Sequence, residues 1–600
     1  MLLIILSIPV LILAGLRTYS YIQHLQLHKK RPDRYRKRPF DKLTQVLYAV
    51  ALVLLIIGIL ISCGKDKQPD PTPVETTPPT TEPMEPPSLF VPSADPSADP
   101  ANWHIRWEIF RGSQAVSGYS REESVFFDDG GSYFALPGIC TFRGNNYRDT
   151  TSYGTIETAP QGLIPIWDTD TGVLPGTSWS GSGWTGQPLV VQWDAQTRSV
   201  MNLYDEKKTK DDLVEVIYAT LDGHIYFLDL QDGSYTRDPI NVGLCFKGSG
   251  ALDPRGYPIL YVGAGDVNGN GKRPRMHIIS LIDGSILYEY GNSDPLSLRR
   301  DNDNWCAFDS SPLVDAKTDT LIWPGENGLL YTFRLNTQYD AQAGTLSIDP
   351  EAPVLTRYST PRSGEKDYWL GYEASASIVE NYLYVSENGG MFYCVDLNTM
   401  ELIWSQDTKD DSNASPVFER VSEETGYLYT APSLHWTKNK ETNSGTVSLY
   451  KLDAVTGQVI WEKPYNVYTE EGVSGGVQST PLLGKPGTSL EGLIIYSISR
   501  APNRGTGILV ALDTDTGNEV WRYTTDYFAW GSPVAVYTES GEGYVILGDS
   551  GSKLHLLEGR TGKLIQMIRL NGNIEATPVI FEDTLVIGTR EKKIYGIKIG

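Results

Sequence analysis

Three stretches of the chain carry one pattern: "CVDLNTMELIW" from Cys394 to Trp404, "KLDAVTGQVIW" from Lys451 to Trp461, and "ALDTDTGNEVW" from Ala511 to Trp521. Asp stands third, Thr sixth and Trp eleventh in each. Recurrence at this spacing restricts the chain to an array of one supersecondary unit. The Asp-x-x-Thr-Gly core is turn chemistry: Asp and Thr side chains bond local backbone, and Gly permits positive φ. The pattern therefore predicts a strand, a tight turn and a following strand.

Around it, short apolar or alternating runs bounded by Gly, Asp or Ser read as further strands. In one unit these are "GSPVAVY", "GYVILGDSG", "KLHLLEGRTG" and "KLIQMIRL", between Gly531 and Leu570. First strands of eight such units begin at Gly186, Gly248, Ser310, Ala374, Ala414, Ser479, Gly531 and Ala576. They are spaced by roughly 40–65 residues, which suits a propeller. The last unit, to Gly600, has three strands. "LIPIWDTDTG" (Leu163–Gly172) supplies a fourth, with Trp167 where the others carry Trp. The predicted fold class is all-β: an eight-bladed β-propeller of four-stranded blades over residues 163–600, its last blade closed by an N-terminal strand. Such closure removes the exposed edge. Trp167, Trp404, Trp461 and Trp521 are expected to pack on neighbouring blades, each burying ~150–250 Å². The 58 Gly and 35 Tyr of the chain suit a turn-rich β protein.

The N-terminus reads differently. Residues 1–65 hold two apolar runs, Leu2–Leu16 and Val46–Ser62, around a basic stretch containing "HKKRPDRYRKRPF". They are expected to form a membrane anchor of two transmembrane helices, with the basic loop in the cytoplasm and the C-terminal body outside. "LISC" (Leu60–Cys63) also fits a bacterial lipobox, so lipidation at Cys63 is the alternative anchor. Either way the expected location is a bacterial cell membrane with the body extracellular. Residues 66–100 read as a disordered Pro/Thr-rich linker, with 11 Pro between Pro69 and Pro100; at ~3.1 Å per residue it reaches roughly 100 Å. Residues 101–162 are expected to be an extension packing on the propeller, with "WHIRWEIF" (Trp103–Phe110) a strand of a small added sheet.

Net charge is −22, and residues 1–65 are basic, so the body is more acidic still. A body so acidic repels nucleic acid. Five Cys in 600 residues exclude a disulfide scaffold. Cys245 and Cys306 stand at matching places in adjacent blades and are the candidate disulfide. No phosphate-binding Gly loop or His-Glu-x-x-His motif is present.

The repeated pattern on eight four-stranded blades resembles the pyrroloquinoline-quinone (PQQ) repeat family. "FRGNNYR" (Phe142–Arg148) is similar to the opening phrase of many members. The likeness runs from about Gly138 to Gly600 and is sharpest in blades four to seven, although Gln566 replaces Trp in the seventh. It implies two kinds of protein: PQQ-dependent alcohol dehydrogenases, and non-catalytic propellers such as the outer-membrane assembly lipoprotein. The dehydrogenases hold Ca²⁺ on the quinone and use an Asp base over an aromatic floor; the alcohol dehydrogenases add adjacent cysteines. This chain has neither a Cys-Cys pair nor Cys-x-x-Cys-His.

Strand alternation puts the Asp-Thr-Gly turns on one face, and the loops entering each first strand on the other. That second face gathers Trp184, Asp303, Asn304, Trp305, Asp309, Trp369, Tyr372, Glu373 and Trp530 as a candidate ligand funnel. Aromatics and carboxylates around an axis suit a sugar, peptide or cationic ligand; the plainer reading is that they plug the channel. Asp266, Asn268 and Asn270 in "GDVNGNGK" alternate as in a Ca²⁺ loop, but an EF-hand needs Glu where His277 stands, so a propeller-type Ca²⁺ turn and a simple Asn-Gly hairpin both remain. The expected function is a non-catalytic binding or assembly scaffold at the cell envelope, whose partner is an envelope protein or wall component, with no cofactor required. The alternatives are a PQQ- and Ca²⁺-dependent quinoprotein dehydrogenase and a surface receptor for glycan or peptide.

Overall fold

The computed structural model describes residues 89–265, 273–291, 294–299, 306–362, 371–470 and 474–600. The expected membrane anchor, Cys63, the Ca²⁺-turn candidates Asp266, Asn268 and Asn270, and the funnel candidates Asp303, Asn304, Trp305 and Trp369 lie outside the described residues. Among the described residues no helix is long and apolar enough to cross a membrane.

Eight antiparallel sheets form the blades of a propeller. Their innermost strands are Leu189–Val191, Ala251–Leu252, Leu313–Asp315, Ser377–Val379, Val417–Arg420, Leu482–Leu483, Val534–Tyr537 and Val579–Phe581. All eight fall where the sequence places first strands. Second and third strands are buried on both faces, as in Leu493–Ser499 and Gly507–Asp513, because each blade is packed between two others. Outer strands alternate instead: Glu519–Thr525 exposes Glu519, Val520, Arg522 and Thr524 and buries Trp521.

The repeated motif is a strand, a bulge, a turn and a docking indole. In the sixth blade Ala511 pairs with Trp521 and the register slips between Ala511 and Leu512. Asp513 Oδ1 accepts the Thr516 amide at 2.8 Å, and Gly517 at φ 65° closes the turn by donating to the Asp513 carbonyl at 2.8 Å. Trp521 Nε1 then donates to the Gly559 carbonyl of the next blade at 3.0 Å. Trp461 bonds Thr514 O at 3.0 Å, Trp404 bonds Ala454 O at 3.1 Å, and Trp167 bonds Leu230 O at 2.8 Å. Each indole covers a turn glycine, where an added Cβ would meet the ring: Gly562 over Trp521, Gly517 over Trp461, Gly457 over Trp404 and Gly233 over Trp167. At ~25 cal/mol per Å², burial of one such ring is worth up to roughly 4–6 kcal/mol.

The ring closes as expected. Leu163–Asp170 pairs with Lys593–Ile599 as the outer strand of the eighth blade, with Trp167 opposite Gly596. A second tie runs around the inner rim. The Ser311 amide donates to Ser375 Oγ (2.8 Å), Ser375 to Ser415 Oγ (2.9 Å), and Ser415 to Thr480 Oγ1 (3.1 Å). Thr480 continues to Ser532 Oγ (3.0 Å), and Ser532 to Thr577 Oγ1 (3.0 Å). Most of these hydroxyl residues precede the proline that opens an inner strand.

The residues before the first blade do more than pack on the outside. Gly138–Ile139 joins the inner strand of the first blade, and Ser152–Tyr153 pairs in parallel with that of the eighth. Between them "FRGNNYR" sits on the axis. Arg143 donates to Pro533 O (2.6 Å) and Pro481 O (2.5 Å). Arg148 donates to Ala376 O (2.8 Å) and Ser311 O (2.8 Å). The Phe418 amide reaches Tyr147 O (3.0 Å), and the Leu252 amide reaches Cys140 O (2.7 Å). This segment thus touches the inner strand or its entry in all eight blades. Burial pushes both guanidinium groups down to about 9, which leaves them charged at neutral pH.

Three expectations need correction. Residues 89–100, taken as linker, dock on the ring: Phe90 is buried against Tyr382 and Phe418, and the Ser93 amide bonds Val455 O at 2.9 Å. An aromatic anchor outweighs the local Pro-rich composition there. The "WHIRWEIF" strand builds no separate sheet. Arg106–Arg111 pairs with Val354–Ser359, adding Arg106–Arg111 and Gln114–Val116 to the outer edge of the third blade. Cys245 and Cys306 stand as thiols, so the expected disulfide is not formed; the Cys306 thiol donates to Arg299 O, with Sγ 3.2 Å away.

Candidate functional site: an acidic axial pocket

The loops entering the first strands converge on a cavity of about 350 Å³ on the propeller axis. Its floor is Phe142 of the axial segment and the rim hydroxyls of Ser249, Ser375, Ser415, Thr480 and Ser532. The entry loops that the sequence gathers on one face thus converge there. Four of the expected funnel residues line the cavity: Trp184, Asp309, Glu373 and Trp530. Tyr372 does not. It is wholly buried against Tyr358, with ring centroids 5.1 Å apart, in the core between blades three and four.

Trp184 and Trp530 meet with ring centroids 5.6 Å apart. Trp184 holds a left-handed backbone at φ 75°, a costly state for a bulky residue and one that clusters at functional sites. Lys247 Nζ lies 5.7 Å from the Trp184 ring centroid.

Beside this aromatic wall is a buried charge cluster that sequence reasoning missed in large part. Lys247 pairs with Asp309 at 3.2 Å. Arg299 pairs with Glu326 at 3.0 Å and donates to the Glu326 carbonyl at 3.0 Å. Asn388 Nδ2 donates to Asp411 Oδ1 at 3.0 Å. Burial opposes the Lys247 charge, yet Asp309 and Glu326 outweigh it and hold the amine above its ordinary range. Burial and the Glu373 charge push Glu326 up to about 8. Burial, with Asp410 and Glu326 nearby, pushes Asp411 up to about 7. Half-buried Glu373 is raised as well, by burial first and then by Asp411. A signal existed in the chain: "GENG" and "SENGG" place Glu326 and Glu387 at the same turn of adjacent blades.

At the mouth stand His435, Lys438, Glu470 and Ser474. Ser474 Oγ is 3.1 Å from His435 Nδ1, and Asp411 Oδ2 is 3.6 Å from that same nitrogen. A hydrolytic relay needs the two partners on opposite ring nitrogens. Burial also lowers the His435 pKa. These three residues therefore do not form a nucleophile–base–acid triad.

The described residues also fail a test for PQQ, which is a tricarboxylate. The buried cations Lys247 and Arg299 are engaged by acids, and Glu373 and Asp411 would repel further negative charge. Among the described residues no group of three or more His, Cys, Asp or Glu is arranged to hold a metal ion.

Fold and repeats together define an eight-bladed β-propeller, and part of the chain is similar to proteins of the PQQ-repeat kind. Residues 505–599 match a family model described as outer membrane protein assembly factor BamB. BamB of Burkholderia pseudomallei is 27% identical over 213 residues, covering 35% of this chain and 47% of that protein. The dehydrogenase subunit of a quinone alcohol dehydrogenase from Komagataeibacter europaeus is 27% identical over 157 residues, covering 26% of this chain and 20% of that protein. The chain thus spans less than half the length of these curated relatives. Among solved structures, a quinohemoprotein alcohol dehydrogenase from Pseudomonas putida HK5 is similar with TM-score 0.49 and 13% identity, over 80% of this chain and 83% of that one. BamB from Moraxella catarrhalis is similar with TM-score 0.40 and 13% identity, over 64% and 93%.

Proposed function

We propose that the protein is a binding propeller with no chemistry of its own, tethered outside a bacterial cell membrane by its apolar N-terminus, and that the axial pocket is where it receives a group from an envelope partner, glycan or peptide. One observation carries this reading. The pocket is roomy and aromatic-walled, yet its buried cations are already paired and its serine, histidine and aspartate are misaligned for catalysis. Such a site can grip a ligand, and among the described residues no serine–histidine–aspartate relay activates a nucleophile. The basic stretch between two apolar runs supports the outside location.

The rival reading, a PQQ- and Ca²⁺-dependent dehydrogenase, rests on the partial likeness to quinone alcohol dehydrogenases. A titration of the full chain with PQQ, with and without Ca²⁺, followed by thermal shift, separates the two. The binding reading expects no shift. Calcium-dependent tight binding would replace it with the dehydrogenase. Trp184→Ala and Trp530→Ala variants then test the pocket itself: both should lose capture of wall fragments or peptides that the parent protein retains.

A further inference from the structure

The pocket's polarity narrows the ligand further, on the reading above that this pocket is the binding site. Two buried cations, Lys247 and Arg299, face four carboxylates: Asp309, Glu326, Glu373 and Asp411. Asp309 and Glu326 are the ones paired at short range. Asp411 has an amide, Asn388, and a histidine at 3.6 Å, but no lysine or arginine within ion-pair distance among the described residues. Glu373 likewise has no such pair among the described residues. The groups facing Asp411 are Asp410, Glu326, Glu373, Arg299, Asn388 and His435, with Lys438 further out at the mouth. Asp410 is itself capped by the amides of His435, Trp436 and Thr437. Glu326 is held protonated near neutral pH and hydrogen-bonds Glu373, so Lys247 and Arg299 balance Asp309 and Glu373, and ionisation of Asp411 is what leaves the cluster short of positive charge.

Two further features point the same way. Trp184 already carries a cation over its ring, Lys247 at 5.7 Å, so this wall suits positive charge. Asn413 Oδ1, in the pocket lining, is a buried acceptor with no hydrogen-bond partner, and buried polar groups are rarely left so. Among the described residues the acids do not converge on a metal site.

We propose that the axial pocket takes a protonated primary amine, with Glu373 and Asp411 receiving its charge and Trp184 and Trp530 receiving its carbon skeleton. The amine enters as ammonium and supplies the missing partner of the two acids. Because burial holds Asp411 near neutrality, the acid sheds its proton to solvent as the amine binds. Affinity then rises about tenfold per pH unit up to about pH 7 and levels off above it.

The test is calorimetric titration of the full chain in detergent with cadaverine, its neutral analogue pentane-1,5-diol, glucose and Ca²⁺. Cadaverine should bind at least about tenfold tighter than the diol. It should release protons at pH 6, seen as a buffer-dependent heat. Asp411→Asn, which keeps an acceptor for Asn388, and Glu373→Gln should each weaken cadaverine at least about tenfold, and Asp411→Asn should flatten its pH dependence. Thermal melts of both variants confirm that they fold. If the diol or glucose binds as tightly as cadaverine and Trp530→Ala abolishes it, the pocket remains a binding site and the amine inference falls. Binding of Ca²⁺ that displaces cadaverine overturns the amine inference too. If cadaverine does not bind and no other ligand responds to Trp184→Ala or Trp530→Ala, the inference and the site reading fall together.

Discussion

Gln566 Oε1 accepts the Leu163 amide at 2.6 Å, at the place where Trp521 of the preceding blade donates to the Gly559 carbonyl. The exchange of Trp for Gln follows from the ring closure. Elsewhere the indole docks on a continuous turn between third and fourth strands. In the eighth blade those strands come from opposite parts of the chain, and the turn is replaced by Gly162 and Gly600, which bond each other's backbones. There is no glycine-closed turn to cover, and Gly162 lies so close that a Cβ on it would meet Gln566 at 2.7 Å. Gln566→Ala should leave the Leu163 amide unpaired and cost about 1–3 kcal/mol. Hydrogen exchange should show Leu163–Asp170 losing protection before the other outer strands.

The tryptophan docks should be worth more. Trp521→Ala removes a buried ring and a hydrogen bond to the next blade, and should destabilise the protein by about 3–5 kcal/mol in denaturant melts. Gly562→Ala should act on the same joint from the other side. Its φ of 69° strains any side chain, and the new Cβ would sit 2.4 Å from the Trp521 ring. A loss above about 1 kcal/mol is expected.

Arg148 should resist conservative replacement. Its fork reaches carbonyls of two blades, Ala376 and Ser311, and the Phe142 carbonyl of its own segment. Lysine cannot span that set. Arg148→Lys should lower Tm nearly as far as Arg148→Met, and limited proteolysis should cut both faster than the parent protein. Rescue by lysine would show that charge alone matters at this place.

Stability should fall as pH rises through neutrality. Glu326 is pushed up to about 8, and Asp411 and Glu387 to about 7, chiefly by burial. A carboxyl raised in the folded state binds more protons there than in the unfolded chain. Its contribution is full below the ordinary pKa of about 4 and is lost as pH passes the folded value. Ligand-free protein should therefore show Tm decreasing between about pH 5 and 8. Glu326→Gln, neutral throughout, should flatten that slope. An unchanged slope would remove Glu326 from the account.

The blades were legible in the chain because local chemistry repeats there. Asp513, Thr516, Gly517 and Trp521 each act within one turn or on the next blade, so spacing alone betrays them. The axial segment was not legible, although its phrase "FRGNNYR" was noticed. Arg143 bonds residues 338 and 390 positions away, and no local pattern encodes such partners. The pocket was half legible for the same reason. Trp184, Asp309, Glu373 and Trp530 stand in loops that strand alternation assigns to one face. Lys247, Arg299 and Asp411 matter through mutual distance, which only the closed ring sets. Tyr372 misled because a tyrosine beside a pocket loop has the same sequence signature whether it points to ligand or to core.

Repeat proteins commonly change length when a unit is duplicated or lost. The axial segment bars that route here. Its donors and acceptors are matched one by one to inner strands around the full circle, from Leu252 to Ile580. A ninth blade would widen the hub and pull carbonyls away from Arg143 and Arg148; a seventh-blade deletion would leave Thr151 without Ala535. Residues 139–153 also leave the ribosome before any complete blade. The segment is thus a gauge present from the start, against which the number of blades is counted.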